Sequence, residues 1–384
     1  MASPCSSQPA AAAGGRHRRE EALVATCCQL PYQEIMPPLP PGQARLSRLS
    51  GHLQNRTGRT ASCRCRTTST ISSSSKTAAD PSYVLLTNDD GPPEPEHSPY
   101  IFALPRALVG WVGTQRLGIC VPAKQQSWRS KAHIPQDTLH VDFPGPQTWA
   151  AGAELALVQG TPAAAASFGV HAFAQQHFDR TGSPSPLGHG LPLVVSGPNF
   201  GDNSGRAYML SSGTLGAALE AALSGHRAIA LSFQRSSQVR DTPGLEHTDE
   251  EVATAITLSV RLIKQLWENW PPTVELYNIN VPLGVLNRYK KNNRVFFTMP
   301  ATDSYGALFK PDCNDDDTAS CCSYTFESPN RDSSLASPGT DVWALHQGCI
   351  SVTPMQAMHA VVLGRGDDKT DAAEKAKLPA AMMV

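Results

Sequence analysis

Charged side chains are scarce in this sequence, and long apolar runs are missing. Asp, Glu, Lys and Arg make up 17% of the 384 residues, below the usual quarter of a globular chain. No apolar stretch approaches the roughly 18 residues that a membrane-spanning helix needs, so we expect no membrane partner. The formal net charge is −1, which argues against the strongly basic surface of a general nucleic-acid binder.

Several sequence patterns that would indicate other chemistries are also missing. The ten cysteines form no pair of C-x-x-C knuckles, and Cys63-Arg64-Cys65 alone is a poor zinc site. No H-x-x-H or R-H-G pattern supports a histidine phosphatase, so we interpret the histidines as surface or core residues. The N-terminus has no apolar segment followed by a small-residue cleavage site, which argues against secretion.

The two ends of the chain differ in composition from the middle. Residues 1–80 contain ten basic and four acidic residues and are rich in Ser, Thr, Ala and Pro, a composition that cannot bury a core. We therefore predict a disordered basic leader over 1–80, one domain over 81–360 and a disordered tail over 361–384. We expect a cytoplasmic protein. The Arg- and Ser-rich leader also fits a mitochondrial or plastid transit peptide, and this alternative stays open.

Order begins after residue 80, where strand-like and helix-like patterns alternate. Short aliphatic runs predict strands, beginning with 83–87 and 191–196, and Ser98-Pro99 predicts a helix that runs to Leu108. Further helices are predicted over 213–223 and from Thr248, where Thr-x-x-Glu forms a capping box. Strands alternating with helices imply an α/β fold with a mainly parallel sheet, whose ligands bind at the carboxyl ends of the strands.

Two adjacent carboxylates follow the first strand. Asp89 and Asp90 lie in an Asn-Asp-Asp-Gly turn, where hard oxygen ligands would suit Mg²⁺, Mn²⁺ or Ca²⁺. The alternative is an Asx-turn in which these side chains satisfy only their own backbone. The spacing is not the D-x-D-G-T of haloacid-dehalogenase-like phosphatases, because the second carboxylate is adjacent.

Two more segments carry polar groups that we expect at the same edge of the sheet, where the strands have their carboxyl ends. Asn199, in a Gly- and Asn-rich loop, could add an amide oxygen to a magnesium-type site, although an ordinary strand-to-loop turn explains the loop equally well. Ser212-Gly213-Thr214 opens the Ala-rich helix, where free N–H groups and hydroxyls could bind a phosphate. A simple Ser N-cap is the alternative there.

Taken together and in this order, V-L-L-T-N-D-D-G, S-G-P-N-F-G-D-N and S-S-G-T-L-G-A-A-L-E closely resemble the motifs of the SurE family of metal-dependent phosphatases and 5′-nucleotidases. The similarity spans about residues 82–356. It implies a three-layer, Rossmann-like, mainly parallel sheet with a C-terminal β extension. The spacing after Gly91 resembles the eukaryotic branch, some of whose longer members carry a ligase-like second domain, and we expect none after residue 356 here.

The resemblance also implies roles for individual residues. The family's metal ligands fall on Asp89, Asp90 and Asn199, with a fourth on Ser127. Two neighbours of Ser127 depart from the family's R-S-G context, since Gln and Trp flank it. The resemblance places further positions around the phosphate: Asn203, Ser212, Gly213 and Thr214.

A departure at Ala163 to Ala166 leaves contacts on the substrate side open. The implied activity is hydrolysis of a phosphomonoester, a nucleoside monophosphate or a broader acid-phosphatase substrate, with Mg²⁺ or Mn²⁺ as cofactor. Asp89 either activates water or attacks phosphorus, and Asp90 is the second catalytic carboxylate. The alternative function is a catalytically weak nucleotide-binding or scaffold module of the same fold. A homodimer or higher homo-oligomer is implied by resemblance.

Overall fold

The computed structural model of the chain describes seven stretches between residues 79 and 359. The predicted leader and tail lie almost wholly outside these stretches, and the domain bounds stay a prediction. The described residues are 79–135, 138–182, 192–242, 246–285, 294–312, 323–327 and 336–359.

Nine strands form one sheet in the order β3-β4-β2-β1-β5-β6-β7-β11-β8, and a hairpin of β9 and β10 stands apart. All pairs in the large sheet are parallel except β3 with β4 and β7 with β11. The predicted mainly parallel sheet with a C-terminal β extension is therefore confirmed. The strands are β1 Val84–Thr87, β2 Leu117–Pro122, β3 Val141–Asp142, β4 Glu154–Val158, β5 Leu193–Phe200, β6 Arg227–Gln234, β7 Leu276–Pro282, β8 Val295–Phe297, β9 Phe309–Pro311, β10 Tyr324–Phe326 and β11 Ile350–Met355.

Helices cover both faces of this sheet and complete the three layers. The helices are α1 Leu104–Val112, α2 Pro162–Phe168, α3 Ala174–Thr181, α4 Arg206–Ser211, α5 Gly213–Leu223, α6 Ser237–Asp241, α7 Asp249–Glu268 and α8 Asp341–His346. Within the described stretches, no helix is both long enough and apolar enough to cross a membrane.

The side chains of β1 alternate between two apolar cores, as the period of a strand requires. Val84 and Leu86 belong to the core that α1 and α7 cover, whereas Leu85 belongs to the core under α2, α3 and α5. Because both faces are buried, the strand is apolar throughout, which explains why its sequence shows an unbroken run.

The central position of β1 places the polar turn that follows it in the middle of one edge of the sheet. β1 pairs with β2 on one side and with β5 on the other. The chain order reverses here, and such a switch point opens a crevice at the carboxyl ends of the strands.

The predicted helix at Ser98–Leu108 is wrong at its start. The Ser98 hydroxyl donates to the carbonyl of Gly91, and the helical segment starts only with a 3-10 turn at Ile101–Ala103, which has no side-chain cap. This turn leads into α1, which begins at Leu104 with Pro105 in its first turn and ends before Gly113. Strand β4 and helices α2 and α3 fall in a segment whose mixed composition predicted no elements.

The capping box at the start of α7 is confirmed. The Thr248 hydroxyl accepts from the Glu251 amide at 3.3 Å, and the Glu251 carboxylate accepts from the Thr248 amide at 3.0 Å. We expect Thr248→Ala to lower the free energy of unfolding by about 1 kcal/mol in urea denaturation. Thr257→Ala, at an exposed site inside the same helix, is the control and should not destabilise, because Ala is the better helix former. Equal losses in both variants would contradict a capping role.

Candidate active site

The turn after β1 is closed by Asn88. Its side-chain oxygen accepts from the Gly91 amide at 3.0 Å, and its side-chain nitrogen donates to the Gly91 carbonyl at 2.7 Å. Gly91 has φ +83°, where glycine is favoured. The turn is thus satisfied by Asn88, and the carboxylates of Asp89 and Asp90 point to other partners.

Asp89 lies against the start of α5. The Thr214 hydroxyl donates to Asp89 Oδ1 at 2.5 Å, and the backbone N–H groups of Gly213 and Thr214 also bond this carboxylate. A Cβ at Gly213 would lie 2.8 Å from both Cβ and Oδ2 of Asp89. Only glycine therefore allows this approach of the helix to the carboxylate.

Asp90 is bonded to the strand and loop on either side of β1. The amide of Phe200 donates to Asp90 Oδ2 at 2.9 Å, and the Ser127 hydroxyl lies 3.4 Å from Oδ1. Ser127 follows β2 and Phe200 ends β5. The predicted neighbours from three separate segments thus meet at this carboxylate.

Asn199 belongs to β5 rather than to the loop in which the sequence placed it. The pairing of β5 with β6 shifts between Ser196 and Asn199, and the strand continues past this irregularity. The Asn199 side-chain nitrogen donates to the Gly201 carbonyl at 2.7 Å. Asn199 also lines the cavity described below.

The pKa values of both carboxylates are raised above those of an exposed aspartate. Burial raises the pKa of Asp89, against the opposing effect of hydrogen bonds from Thr214 and Gly213. Burial, and then the charge of Asp89, raise the pKa of Asp90 well above its usual range. Within the described stretches, no basic side chain forms an ion pair with either group.

This donor set fits a hard divalent cation. Two buried carboxylates, an amide oxygen and a hydroxyl are the ligands that Mg²⁺ or Mn²⁺ prefers, and a cation would offset the repulsion between the carboxylates. No third carboxylate, histidine or cysteine joins them among the residues described. The structure brings together Asp89, Asp90, Asn199 and Ser127, and metal binding by them stays a prediction.

The residues predicted to surround a phosphate divide into two groups. Ser212 caps α5 by accepting from the Leu215 amide at 3.0 Å, and it lines the cavity. The Thr214 hydroxyl bonds Asp89, and Gly213 lies directly against the same side chain. The Asn203 side chain donates to the Ser232 hydroxyl at 3.0 Å. Phosphate contacts by these four residues stay predictions.

One cavity of about 610 Å³ is lined by several of these residues: Asp89, Ser127, Asn199, Asn203 and Ser212. Among its described lining residues, Arg235 carries the only permanent positive charge, and its guanidinium lies 4.5 Å above the Phe200 ring. Sequence reasoning missed Arg235 because a lone arginine after β6 belongs to no quoted motif.

Asp341 is a buried carboxylate whose role the sequence did not indicate. It accepts from the amides of Gly205 at 2.8 Å and Ala301 at 2.9 Å, and it begins α8. These bonds fix the segment that follows β5. Thr340-Asp341 is a helix-start pattern and could have predicted the start of α8. The bonds to Gly205 and Ala301 could not be predicted, because both residues are more than 35 positions away in the sequence.

Comparison with known proteins gives one family. The model of the family described as survival protein SurE matches residues 84–306, more than half of the chain. A yeast (Saccharomyces cerevisiae) protein named probable tubulin–tyrosine ligase PBY1 is 32% identical over an alignment of 232 residues that covers 52% of this chain. This chain spans only 28% of that protein's length.

Shorter relatives are matched over most of their length. The 5′-nucleotidase SurE of Archaeoglobus fulgidus is 27% identical over 71% of this chain and 90% of its own, and the 5′/3′-nucleotidase SurE of Yersinia pestis is 29% identical over 71% and 89%. The solved SurE protein of Aquifex aeolicus has the same fold, with a TM-score of 0.52 and 23% identity over 72% of this chain and 94% of its own. The chain therefore belongs to the SurE family.

Proposed function

We propose that the protein hydrolyses phosphomonoesters, with nucleoside monophosphates as the first candidates and Mg²⁺ or Mn²⁺ as cofactor. The observation that carries the proposal is the burial of two adjacent carboxylates, Asp89 and Asp90, unbalanced by any described basic group, with Asp89 at the wall of a cavity. Asn199 and Ser127 add neutral oxygens to the same wall. The names of the archaeal and bacterial relatives support this substrate class.

A bound divalent ion would polarise a phosphoryl oxygen and lower the pKa of a nearby water. Asp89, Asp90, Asn199 and Ser127 are the residues that would hold it. Asp89 is the candidate to accept a proton from the attacking water or to attack phosphorus itself.

The start of α5 orients the Asp89 carboxylate in this scheme. The Thr214 hydroxyl and the first amides of α5 fix one side of the Asp89 carboxylate, so its orientation is set before substrate binds. Ser212 uses a lone pair for the Leu215 amide and keeps its O–H group for a phosphate oxygen. Arg235 supplies positive charge to the cavity that a dianionic substrate enters.

The proposal is tested by phosphate release. We expect Mg²⁺ or Mn²⁺ to stimulate release from nucleoside monophosphates and from p-nitrophenyl phosphate, and EDTA to abolish it. A panel of 5′ and 3′ nucleotides assayed with each ion defines the preferred ester. Release that is insensitive to EDTA would refute the metal site, and no release from any ester would refute the hydrolase.

The second candidate is a nucleotide-binding or scaffold module that lacks turnover. The departure that favoured it, Ala163 to Ala166, lies in α2, where three of the four alanines are fully buried. These positions pack the core, so their composition carries no information about substrate contacts. Nucleotide binding without phosphate release would favour this candidate. Homo-oligomerisation and a cytoplasmic location remain predictions.

A further inference from the structure

Trp128 has an unusual backbone conformation. Its φ is +63°, a left-handed value that is strained for a bulky residue, and the nearby Ser130 has φ +52°. In the SurE motif that Ser127 resembles, the following residue is glycine, which adopts this conformation without strain. A tryptophan that keeps a glycine's backbone conformation points to a function for its side chain.

The loop that carries Trp128 is fixed to the candidate active site on both sides. Before it, the Gln126 amide donates to the Asp89 carbonyl at 2.7 Å. After it, the Ser130 amide donates to the Ser211 carbonyl at 3.0 Å, and the Ser130 hydroxyl donates to the Leu210 carbonyl at 2.7 Å. The position of Trp128 relative to Asp89 and Ser127 is therefore set by the backbone.

Other aromatic rings hold the indole in place. The centroid of the Trp128 ring lies 6.2 Å from Tyr208, 5.4 Å from Tyr305 and 5.1 Å from Phe326. The Tyr305 hydroxyl donates to the carbonyl of Ala207 in α4, which ties this cluster to the helix that precedes Ser212. Despite these contacts Trp128 is still 38% exposed, and both Trp128 and Tyr208 line the 610 Å³ cavity.

We propose that Trp128, supported by Tyr208, is a stacking platform for the aromatic group of the substrate, a nucleobase or an aryl ring. The inference rests on the proposed function, since the phosphate of the same molecule would lie at Asp89 and Ser212. An immobilised, partly exposed indole in the same cavity as Asp89 and Ser212 matches an ester that joins a flat ring to a phosphate. Stacking on an aromatic side chain accepts any base, so the platform selects aromatic esters without selecting one base.

The test compares adenosine 5′-monophosphate with ribose 5-phosphate, which has the same sugar phosphate but no nucleobase. In Trp128→Leu, we expect KM for the nucleotide to rise about tenfold relative to KM for ribose 5-phosphate, the scale of one lost base–aromatic contact. Trp128→Phe keeps an aromatic ring and should retain most of the preference. Trp111→Leu, a half-buried tryptophan in α1 away from this cavity, is the matched control and should leave the ratio of the two KM values unchanged.

The outcomes separate this inference from the proposed function. An unchanged KM ratio in Trp128→Leu, or an equal fall of kcat for both esters, would overturn the platform and leave hydrolysis standing. If neither ester is hydrolysed, the proposed function fails. The platform is then tested by calorimetric titration of metal-free protein with adenosine 5′-monophosphate. About tenfold weaker binding by Trp128→Leu supports the platform. Equal affinity, or no binding by the wild type, overturns it.

Discussion

Metal-free Asp90→Asn protein should melt at a higher temperature than the metal-free wild type, although its turnover should fall by roughly 1,000-fold or more. The reason is that Asp90 is buried next to a second carboxylate without a described cation. Asparagine removes that charge and keeps the hydrogen bonds, because its oxygen can accept from the Phe200 amide and its nitrogen can donate to the Ser127 hydroxyl. Thermal melts with and without metal, followed by phosphate release, measure both effects.

Metal should stabilise the wild type and have little effect on the stability of Asp90→Asn. Saturating Mn²⁺ at about 100 times its Kd would stabilise the wild type by about 2.7 kcal/mol, a rise in Tm of roughly 5–10 °C for a domain of this size. Asp90→Asn should lose most of this rise. Asp341→Asn is the matched control: its carboxylate accepts three backbone amides, so one amide oxygen cannot replace it, and this variant should melt lower while keeping the metal-induced rise.

The raised pKa of Asp90 also determines how the stability of the metal-free protein depends on pH. A carboxyl group whose pKa is higher in the folded state than its ordinary value, about 3.9 for Asp, favours folding fully only below that ordinary value. Stability is then lost as pH rises through the raised pKa. The metal-free wild type should lose stability over this window, and Asp90→Asn should lose less. Identical pH profiles for the two proteins would contradict a raised pKa at Asp90.

Gly213→Ala should lower kcat/KM by about 100-fold while the protein stays folded. The added methyl group would lie 2.8 Å from Asp89 Oδ2 and 3.0 Å from Pro162, so the carboxylate must shift or the start of α5 must move outward. Displacement of a catalytic group by about 1 Å costs on the order of 100-fold in rate. Steady-state phosphate release gives the rate, and circular dichroism checks the fold.

Gly110→Ala is the matched control for this substitution. Gly110 lies exposed in α1, where an added Cβ meets no atom within 4 Å. Alanine should stabilise that helix by about 0.5–1 kcal/mol and leave kcat/KM unchanged. If Gly213→Ala behaved like Gly110→Ala, the contact between α5 and Asp89 would have no bearing on activity.

The sequence was sufficient to predict which polar groups would meet. Asp89, Asp90 and Asn199 each follow or end a buried apolar strand, and parallel strands place their carboxyl ends at one edge. Because that rule depends only on chain direction, it works without knowing any distance. The same holds for the α7 capping box, whose partners lie three residues apart and need no tertiary information.

Features that depend on distant partners could not be predicted in this way. Asn88 rather than Asp89 closes the turn, and choosing between adjacent Asx side chains requires knowing that α5 supplies donors to Asp89. The left-handed backbone of Trp128 is invisible in a pattern of residue types. Strand β4 was missed because its five residues, Glu154–Val158, show neither the alternation of a half-buried strand nor a long apolar run.

The placement of β1 between β2 and β5 bears on how the protein fluctuates. Strands at the margins of the sheet, such as β3 and β8, have neighbours on one side only and can separate locally at small cost. The amides of β1 are shielded on both sides and open to solvent only when the whole sheet comes apart. Asp89, Asp90 and Asn199 thus keep their register during fraying of the margins, and the chemistry they support should be lost only together with the global fold.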